Sequence, residues 1–171
     1  MHSKSGTPAN ADRLANLLGA LALELAHAQE AAAAAVVEQT GAASAALVVI
    51  AASPGRTIEE LRHPLGLTQP GATRLVERLV RAGWVERGEA AGRRGLRLTL
   101  SAAGRHRLDR MLAARRAALT EALEPLSSAQ RTQLSEILET LLAGRVGDRA
   151  DLERVCRLCE RRTCEIGRAH V

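Results

Sequence analysis

Residues 57–100 constrain the fold of this chain most, because helix caps and helix breakers divide them into short, well-delimited elements. Thr57 and Glu60 have the spacing of a capping box, which predicts that a helix starts there. Pro64 and Gly66 follow close behind, and both residue types interrupt helices. The sequence therefore predicts a short helix that ends within this Pro- and Gly-containing stretch.

A second helix is predicted directly after this break. Thr68 or Gln69 caps its first turn, a place where the following proline is well tolerated. The helix runs to about Ala82 and is closed by Gly83. Apolar and polar positions fall on opposite faces. The buried face is predicted to contain Ala72, Leu75, Val76, Leu79 and Val80, and the outward face Thr73, Arg74, Glu77, Arg78 and Arg81.

Two strands joined by a short connection follow the second helix. Trp84–Arg87 and Leu96–Leu100 both suit strands. In the second strand Leu alternates with Arg and Thr, so Leu96, Leu98 and Leu100 are expected to face the same side. The stretch between the strands is rich in Gly and Arg, which is typical of a hairpin tip. The pattern predicts a helix-turn-helix followed by a β-hairpin.

The rest of the chain is predicted to be helical. Apolar residues make up 46% of it, mainly Ala and Leu, with one Trp and no Phe or Tyr. Such a composition favours helices over strands. The flanking helices are predicted from Ala11 to about Gln39, over Ala43–Ala52, from a Ser101 cap to about Glu124, and from a serine cap through Leu142. We therefore expect a mainly α fold with a small β-hairpin wing.

The helix-turn-helix and the hairpin together suit duplex DNA. A helix of this size fits the major groove, where Arg pairs with guanine, Gln with adenine, and Thr with phosphate or a thymine methyl group. Nine Arg against five Glu give residues 56–97 a charge of +4, most of the chain's net +5. The candidate DNA-binding residues are Thr68, Gln69, Gly71, Thr73, Arg74 and Arg78 on the helix, with Arg93 and Arg94 at the tip for the minor groove.

Interpretations of the same features that do not involve DNA binding stay open. The outward face of the second helix suits ordinary solvation, with Glu77 as an intrahelical partner of Arg78 and Arg81. The high Arg content is also what a genome rich in G and C favours. Finally, a helix-turn-helix with a hairpin can serve as a protein-interaction module that binds no DNA.

With these elements in place, residues 61–105 resemble the winged-helix transcription regulators of the MarR family. The features that carry the resemblance are Leu65-Gly66, the Thr68 cap, the R-L-V-x-R-L run of 74–79, Gly83, the V-x-R of 85–87, the Arg-bearing wing, and Leu98–Gly104 (L-T-L-S-A-A-G), which corresponds to the L-T-x-x-G of the family. The flanking helices fit as well, so the resemblance covers about residues 11–143. In this comparison residues 1–10 are a flexible N-terminus, 57–100 the DNA-binding lobe, and 11–39 and 101–143 the dimerisation helices.

The resemblance implies a homodimer that binds a palindromic operator in double-stranded DNA, with half-sites about one helical turn, ~34–36 Å, apart. It implies a repressor, less often an activator, whose DNA affinity changes when an unknown small-molecule effector binds. This chain departs from the family in its wing. There an Asp usually stands two positions before the wing Arg, whereas here Gly92 precedes Arg94 at that spacing.

Neither an enzyme nor a membrane protein is expected. A cysteine nucleophile needs a base beside it, and here the cysteines lie near the C-terminus while the histidines are scattered. The longest fully apolar run, Ala45–Ala52, is far shorter than the ~20 residues of a membrane span. Polar residues interrupt the apolar segment Leu14–Val37, and the N-terminus does not read as a signal peptide. A cytoplasmic protein is expected.

Residues 144–171 form a charged C-terminal region that contains Cys156, Cys159 and Cys164 in a C-x2-C-x4-C pattern. Three thiols are one ligand short of a tetrahedral zinc site, and a structural disulfide is not expected in the cytoplasm. A metal or redox response and a solvated tail are both open, with the solvated tail favoured. Residues 166–171, IGRAHV, also match one reading frame of a common sequencing adapter, so we expect that His170 is not native.

Overall fold

A computed structural model describes residues 8–37, 41–89 and 96–160 of the chain. Within these residues it contains seven helices and one two-stranded sheet. The elements are α1 Pro8–Val37, α2 Gly41–Ala52, α3 Ile58–Leu65, α4 Gln69–Arg81, β1 Val85–Glu89, β2 Leu96–Leu100, α5 Ala102–Leu123, α6 Ser128–Ala143 and α7 Arg149–Val155. The mainly α architecture with a hairpin is the one that the sequence predicts.

Helix α3 begins as predicted but continues through its proline. Thr57 and Glu60 form a complete capping box, and Gly66 ends the helix with a φ of 62°. The helix therefore ends within the predicted Pro- and Gly-containing stretch, with Pro64 in its last turn. A proline leaves the carbonyl four residues earlier without its helical donor. Here that carbonyl belongs to Glu60, and the Arg56 guanidinium donates to it at 3.3 Å.

The hairpin pairs β1 and β2 antiparallel, from Val85 opposite Leu100 to Glu89 opposite Leu96. Residues 55–56 form an isolated antiparallel bridge with Leu98 of β2. The Gly55 N–H donates to the Leu98 carbonyl at 2.9 Å, and the Leu98 N–H donates to the Arg56 carbonyl at 2.8 Å. Leu98 and Leu100 are buried as expected, but Leu96 is 47% exposed. Leu96 is the first residue of the strand and lies at its tip end.

Helix α2 is the centre of the core. Residues 43–50 are all buried, and the helix packs against α1, α3, α5 and β2. The apolar face of α4 adds Leu75, Val76 and Leu79 to the same cluster, and β2 adds Leu98. One continuous core therefore joins the helix-turn-helix to the helices on either side of it.

Trp84 lies where α4, β1 and α5 meet. The backbone N–H of Trp84 donates to the Leu79 carbonyl at 3.0 Å, and the Trp84 carbonyl accepts from the backbone N–H of Ser101 at 3.1 Å. Ser101 caps α5 and also donates its hydroxyl to the Gly83 carbonyl at 2.6 Å. A β-carbon added at Gly104 would lie 2.0 Å from the Trp84 carbonyl oxygen. The first turn of α5 therefore rests directly on the backbone at the base of the wing.

Two helices present apolar faces that no other described element covers. In α1 only the C-terminal part enters the core, whereas Leu14, Leu17, Leu18, Leu21 and Leu23 are exposed. Helix α6 has no buried residue, and Ile137, Leu138 and Leu141 are exposed along it. These faces are the apolar stripes that the sequence assigns to dimerisation.

One helix in the described part of the chain, over Asn10–Val37, is long and apolar enough to cross a membrane by length and composition. The polar residues that interrupt this segment are the reason why the sequence predicts no membrane span there. Helices in the cores of soluble proteins pass the same test, and Ala33, Val36 and Val37 at its C-terminal end belong to the core.

Residues 145–160 pack against the rest of the protein, so the solvated-tail interpretation is wrong for them. Helix α7 contacts α3, and Cys156 is buried in a small cluster with Val146 and Leu152. The charged composition of this region concealed these few apolar residues. Cys159 packs against the same cluster, and Cys164 lies outside the described residues.

Replacing Gly104 with alanine tests the contact between α5 and Trp84. Because the new β-carbon would overlap a backbone carbonyl rather than a flexible side chain, we expect Gly104→Ala to lower the free energy of unfolding by about 3 kcal/mol. Urea denaturation at fixed protein concentration measures this loss. Gly88→Ala is the control, since nothing lies within 4 Å of its added β-carbon. Equal stabilities of the two variants would contradict the argument.

Candidate nucleic-acid interface

Helix α4 separates its residues into a buried and an exposed face. Ala72, Leu75, Val76 and Leu79 are buried against the core. Every candidate DNA contact on the helix lies on the other side or at its N-terminus: Gln69, Arg74 and Arg78 are exposed, and Gly71 and Thr73 are half-buried. The structure therefore brings these predicted residues together on one accessible surface, which we call the α4 face.

The N-terminus of α4 is built around the Thr68 cap. The Thr68 hydroxyl accepts from the Gly71 N–H at 3.3 Å. A β-carbon at Gly71 would lie 3.2 Å from that hydroxyl oxygen, so a glycine there leaves room for a close cap. The Thr73 hydroxyl donates to the Gln69 carbonyl at 3.0 Å. Thr73 can therefore still offer a partner its oxygen lone pairs and its methyl group.

The arginines of the α4 face are unpaired in the part of the chain that the structure describes. Arg74, Arg78 and Arg81 make no ion pair or side-chain hydrogen bond there, and Glu77 neutralises none of them. The interpretation in which Glu77 pairs with Arg78 and Arg81 is therefore not supported. Exposed guanidinium groups without a carboxylate partner are suited to phosphate and to guanine.

Helix α3 differs, because its charges satisfy one another. Arg62 donates to Glu59 at 2.8 Å, and this hydrogen bond lowers the pKa of the Glu59 carboxyl below its usual range. The Thr57 N–H donates to Glu60 at 2.8 Å, which lowers the pKa of the Glu60 carboxyl in the same way. The positive charge available to an anionic partner is therefore concentrated on α4 rather than spread over both helices.

The base of the wing is held by two arginines that the sequence argument did not single out. Arg97 of β2 is half-buried and donates to the Gly55 carbonyl at 3.0 Å, with Glu60 at 3.6 Å. Arg56 donates to both carboxylate oxygens of Glu153 in α7. No periodicity marks either residue, because both act across long sequence separations. Arg93 and Arg94 lie outside the described residues.

A cavity of about 770 Å³ lies between α1, α2, α5 and the C-terminal segment. Two buried polar atoms on its lining residues have no hydrogen-bond partner: the Ser44 hydroxyl oxygen and Nε of Arg115. Burial lowers the pKa of Arg115. A buried guanidinium and an unsatisfied hydroxyl favour a ligand that carries hydrogen-bond acceptors.

For metal binding, the described residues contain no group of three or more potential His, Cys, Asp or Glu ligands. The third cysteine of the predicted C-x2-C-x4-C set, Cys164, falls outside them.

The geometry described above agrees with comparisons to known proteins. Residues 40–95, which contain α2 to β1, match the MarR family. The winged-helix lobe is therefore similar to the MarR family, as the sequence predicts. A comparison with curated protein sequences finds no match.

Solved structures extend this likeness of fold beyond residues 40–95. Rv1404 from Mycobacterium tuberculosis aligns at 23% identity and a TM-score of 0.71, covering 86% of this chain and 99% of that one. A MarR family protein from Bacillus stearothermophilus aligns at 21% identity and a TM-score of 0.72, covering 82% and 98%. The winged helix and its flanking helices thus share one fold with these proteins.

Removing the Thr68 cap tests how the N-terminus of α4 is fixed. We expect Thr68→Ala to cost about 1 kcal/mol of stability and to speed amide exchange at Gly71, whose N–H loses its acceptor. Thr57→Ala removes the equivalent cap of α3 and is the matched control: its stability loss should be similar, with Gly71 exchange unchanged. Hydrogen exchange followed by NMR measures both. Exchange at Gly71 that rises equally in both variants would refute a local role for Thr68.

Proposed function

We propose that this protein is a sequence-specific, DNA-binding transcription regulator that acts as a dimeric repressor. The observation that carries the proposal is the α4 face, where unpaired arginines lie on a MarR-family helix that is otherwise buried in the core. A rigid helix with uncompensated positive charge is the arrangement that the major groove requires. The family match to residues 40–95 supports the same conclusion.

In this proposal the first turns of α4 enter the major groove. Gln69 and Arg74 contact base edges, Thr73 contacts a phosphate or a thymine methyl group, and Arg78 contacts the backbone of the DNA. The N-terminus of α4 favours a phosphate, because the helix dipole is positive there. Arg93 and Arg94 of the wing contact the minor groove.

The dimer is proposed to form through the uncovered apolar faces of α1 and α6, together with α5. Exposed leucines at this density are unfavourable in water, and burying them stabilises an assembly. A two-fold dimer would present two α4 helices to a palindromic operator. The described fold leaves those faces open while it covers the apolar face of α4.

An unknown small-molecule effector, or a redox or metal change at the cysteines, is proposed to weaken DNA binding. Rv2887 from M. tuberculosis, a MarR family protein 28% identical over 72% of this chain with a TM-score of 0.55, has been solved in complex with p-aminosalicylic acid. The cavity beside Ser44 and Arg115 is our candidate effector site. We further propose that the protein is cytoplasmic, with no membrane partner and no enzymatic activity.

The competing function is a protein-interaction module that uses the same fold without DNA. The two functions differ in how affinity depends on salt, because binding to DNA releases condensed counterions from the phosphates. A module of this kind would show no salt-dependent affinity for duplex DNA.

We expect Arg74→Ala to weaken binding to the upstream intergenic DNA by about 10-fold to 100-fold, since one bidentate base contact contributes about 1–3 kcal/mol. Arg94→Ala should make the slope of log affinity against log salt concentration shallower by about one, the effect of losing one phosphate contact. Fluorescence anisotropy over a salt series measures both effects. Arg110→Ala, an exposed α5 position, removes the same charge elsewhere and should bind normally. Unchanged affinity and slope in the two test variants would refute the assigned contacts.

A second prediction concerns the dimer. Placing a charge in the apolar face of α6 by Leu138→Glu should shift the protein toward monomers, as measured by sedimentation equilibrium. Leu96→Glu is the control. Leu96 is as exposed as Leu138, 47% against 45%, but it lies on the wing and outside the proposed interface. If Leu138→Glu remained dimeric at the concentrations where the parent protein is dimeric, α6 would not be part of the interface.

A further inference from the structure

A cavity of about 540 Å³ lies at the base of the wing, between α3, residues 53–56, β2 and α7, and we call it the wing-base cavity. No residue of α4 lines it, and it shares no lining residue with the cavity beside Ser44 and Arg115. Its volume falls in the range of small-molecule sites, roughly 300–1,000 Å³. It is therefore a separate candidate site, outside both the DNA contacts and the effector site of the proposed function.

Three arginines from separate segments line the wing-base cavity: Arg56 before α3, Arg97 of β2 and Arg149 of α7. The side chains of Arg56 and Arg97 are 12% and 15% exposed, whereas that of Arg149 is 70% exposed. The first two therefore belong to the inner wall, and Arg149 lies at the rim. The fold thus brings guanidinium groups from three elements to one cavity.

Contacts with the protein already hold the two inner guanidinium groups in place. Arg56 donates to both carboxylate oxygens of Glu153, and Nη1 of Arg97 donates to the Gly55 carbonyl at 3.0 Å. A side chain that is ordered before a ligand binds loses little further entropy on binding. The inner wall is therefore preorganised.

Each inner guanidinium group still has a donor that the protein leaves unused. Nε of Arg56 and Nε of Arg97 are buried and have no hydrogen-bond partner among the residues that the structure describes. A buried donor without an acceptor is unfavourable, and more so on a charged group. Both atoms are shielded from solvent, so a ligand that reaches them must move the side chains that cover them. Two such donors beside one cavity favour a ligand that supplies oxygen acceptors.

The charges on the lining do not cancel. Three arginines stand against two carboxylates, those of Glu60 and Glu153, so these five side chains carry a formal charge of +1. Glu60 lies 3.6 Å from Nη1 of Arg97, and Glu153 accepts from Nε of Arg149 at 3.4 Å. A partly enclosed cavity with an excess of one sign attracts a ligand of the other sign. The wing-base cavity therefore favours an anion.

We propose that the wing-base cavity binds a phosphate group, either as inorganic phosphate or as the monoester of a small metabolite. A phosphate accepts hydrogen bonds on three or four oxygens around one phosphorus atom, which suits guanidinium groups from separate segments. A carboxylate offers only two oxygens in one plane. Arg97 and Arg149 are the principal donors, and Arg56 donates through Nε. The bound phosphate connects β2 to α7, and no step of this proposal involves DNA.

The experiment uses the full chain in a phosphate-free buffer of constant ionic strength. Inorganic phosphate and glycerol 3-phosphate are separate probes, and acetate is the carboxylate control. Calorimetry measures the affinities, and 1H–15N NMR follows the arginine Nε–H resonances. We expect a Kd on the order of 1 mM or tighter for a phosphate probe, weaker binding of acetate, and shifts of the Arg56 and Arg97 Nε–H resonances. The tighter of the two phosphate probes identifies the source of the phosphate.

Variants locate the binding. Arg149→Ala and Arg97→Gln should each weaken phosphate binding by about tenfold, the value of one charge-assisted hydrogen bond. Arg154→Ala is the matched control, because Arg154 belongs to the same helix and pairs with Asp151 at 3.0 Å but does not line the cavity. Its phosphate affinity should equal that of the parent chain. Arg149 is exposed, so its variant decides the question even if Arg97→Gln does not fold.

Three results would overturn the proposal: no phosphate binding by the parent chain, equal affinities for acetate and phosphate, or equal losses in Arg149→Ala and Arg154→Ala. If the parent chain bound neither phosphate probe and Arg149→Ala weakened DNA binding, the arginines would contact the DNA backbone and the proposal would be wrong. Because the calorimetry uses no DNA, it decides on the cavity independently of whether the proposed function holds.

Discussion

The contact between Gly104 and the Trp84 carbonyl is the constraint on which the arrangement of the winged-helix lobe depends. It permits α5 to start directly against the base of the wing, where Ser101 binds both Trp84 and Gly83. Arg107, one turn further along α5, stacks over the Trp84 ring at 4.9 Å and donates to the Val36 carbonyl at the end of α1. A few direct contacts therefore join α1 and α5 to the end of α4.

The distribution of paired and unpaired charge explains why one surface, rather than the whole basic chain, is suited to DNA. Arg62 of α3 is neutralised by Glu59, and Arg56 and Arg97 hold the base of the wing to α7 and to residues 55–60. The arginines of the α4 face have no such partners among the described residues. Some arginines therefore hold the fold together through carboxylate and carbonyl partners, whereas those of the α4 face stay available to an anionic partner.

Residues 145–160 change the physical picture of the C-terminal region. Their charged composition favours a solvated tail, yet Val146, Leu152 and Cys156 bury a small cluster. Two contacts attach the segment to the protein, Arg56 with Glu153 and Arg115 with the Leu158 carbonyl. The signal in the sequence is weak: three apolar residues at irregular spacing, and an ion pair whose partners are 97 residues apart.

The sequence by itself determined the local elements, because their caps and periodicities act within a few residues: the Thr57–Glu60 box, the Thr68 cap, the apolar face of α4 and the strand that ends at Leu100. It also identified the polar residues of the α4 face. The tertiary structure alone decided what depends on distant partners. Arg56 donates to the carbonyl that Pro64 leaves without a helical donor, Leu96 is exposed at the tip end of its strand, and Cys156 and Cys159 lie in a segment that Arg115 attaches to α5. Local propensity and spacing are encoded in neighbouring residues, whereas burial and ion pairing depend on which distant segments the fold brings together.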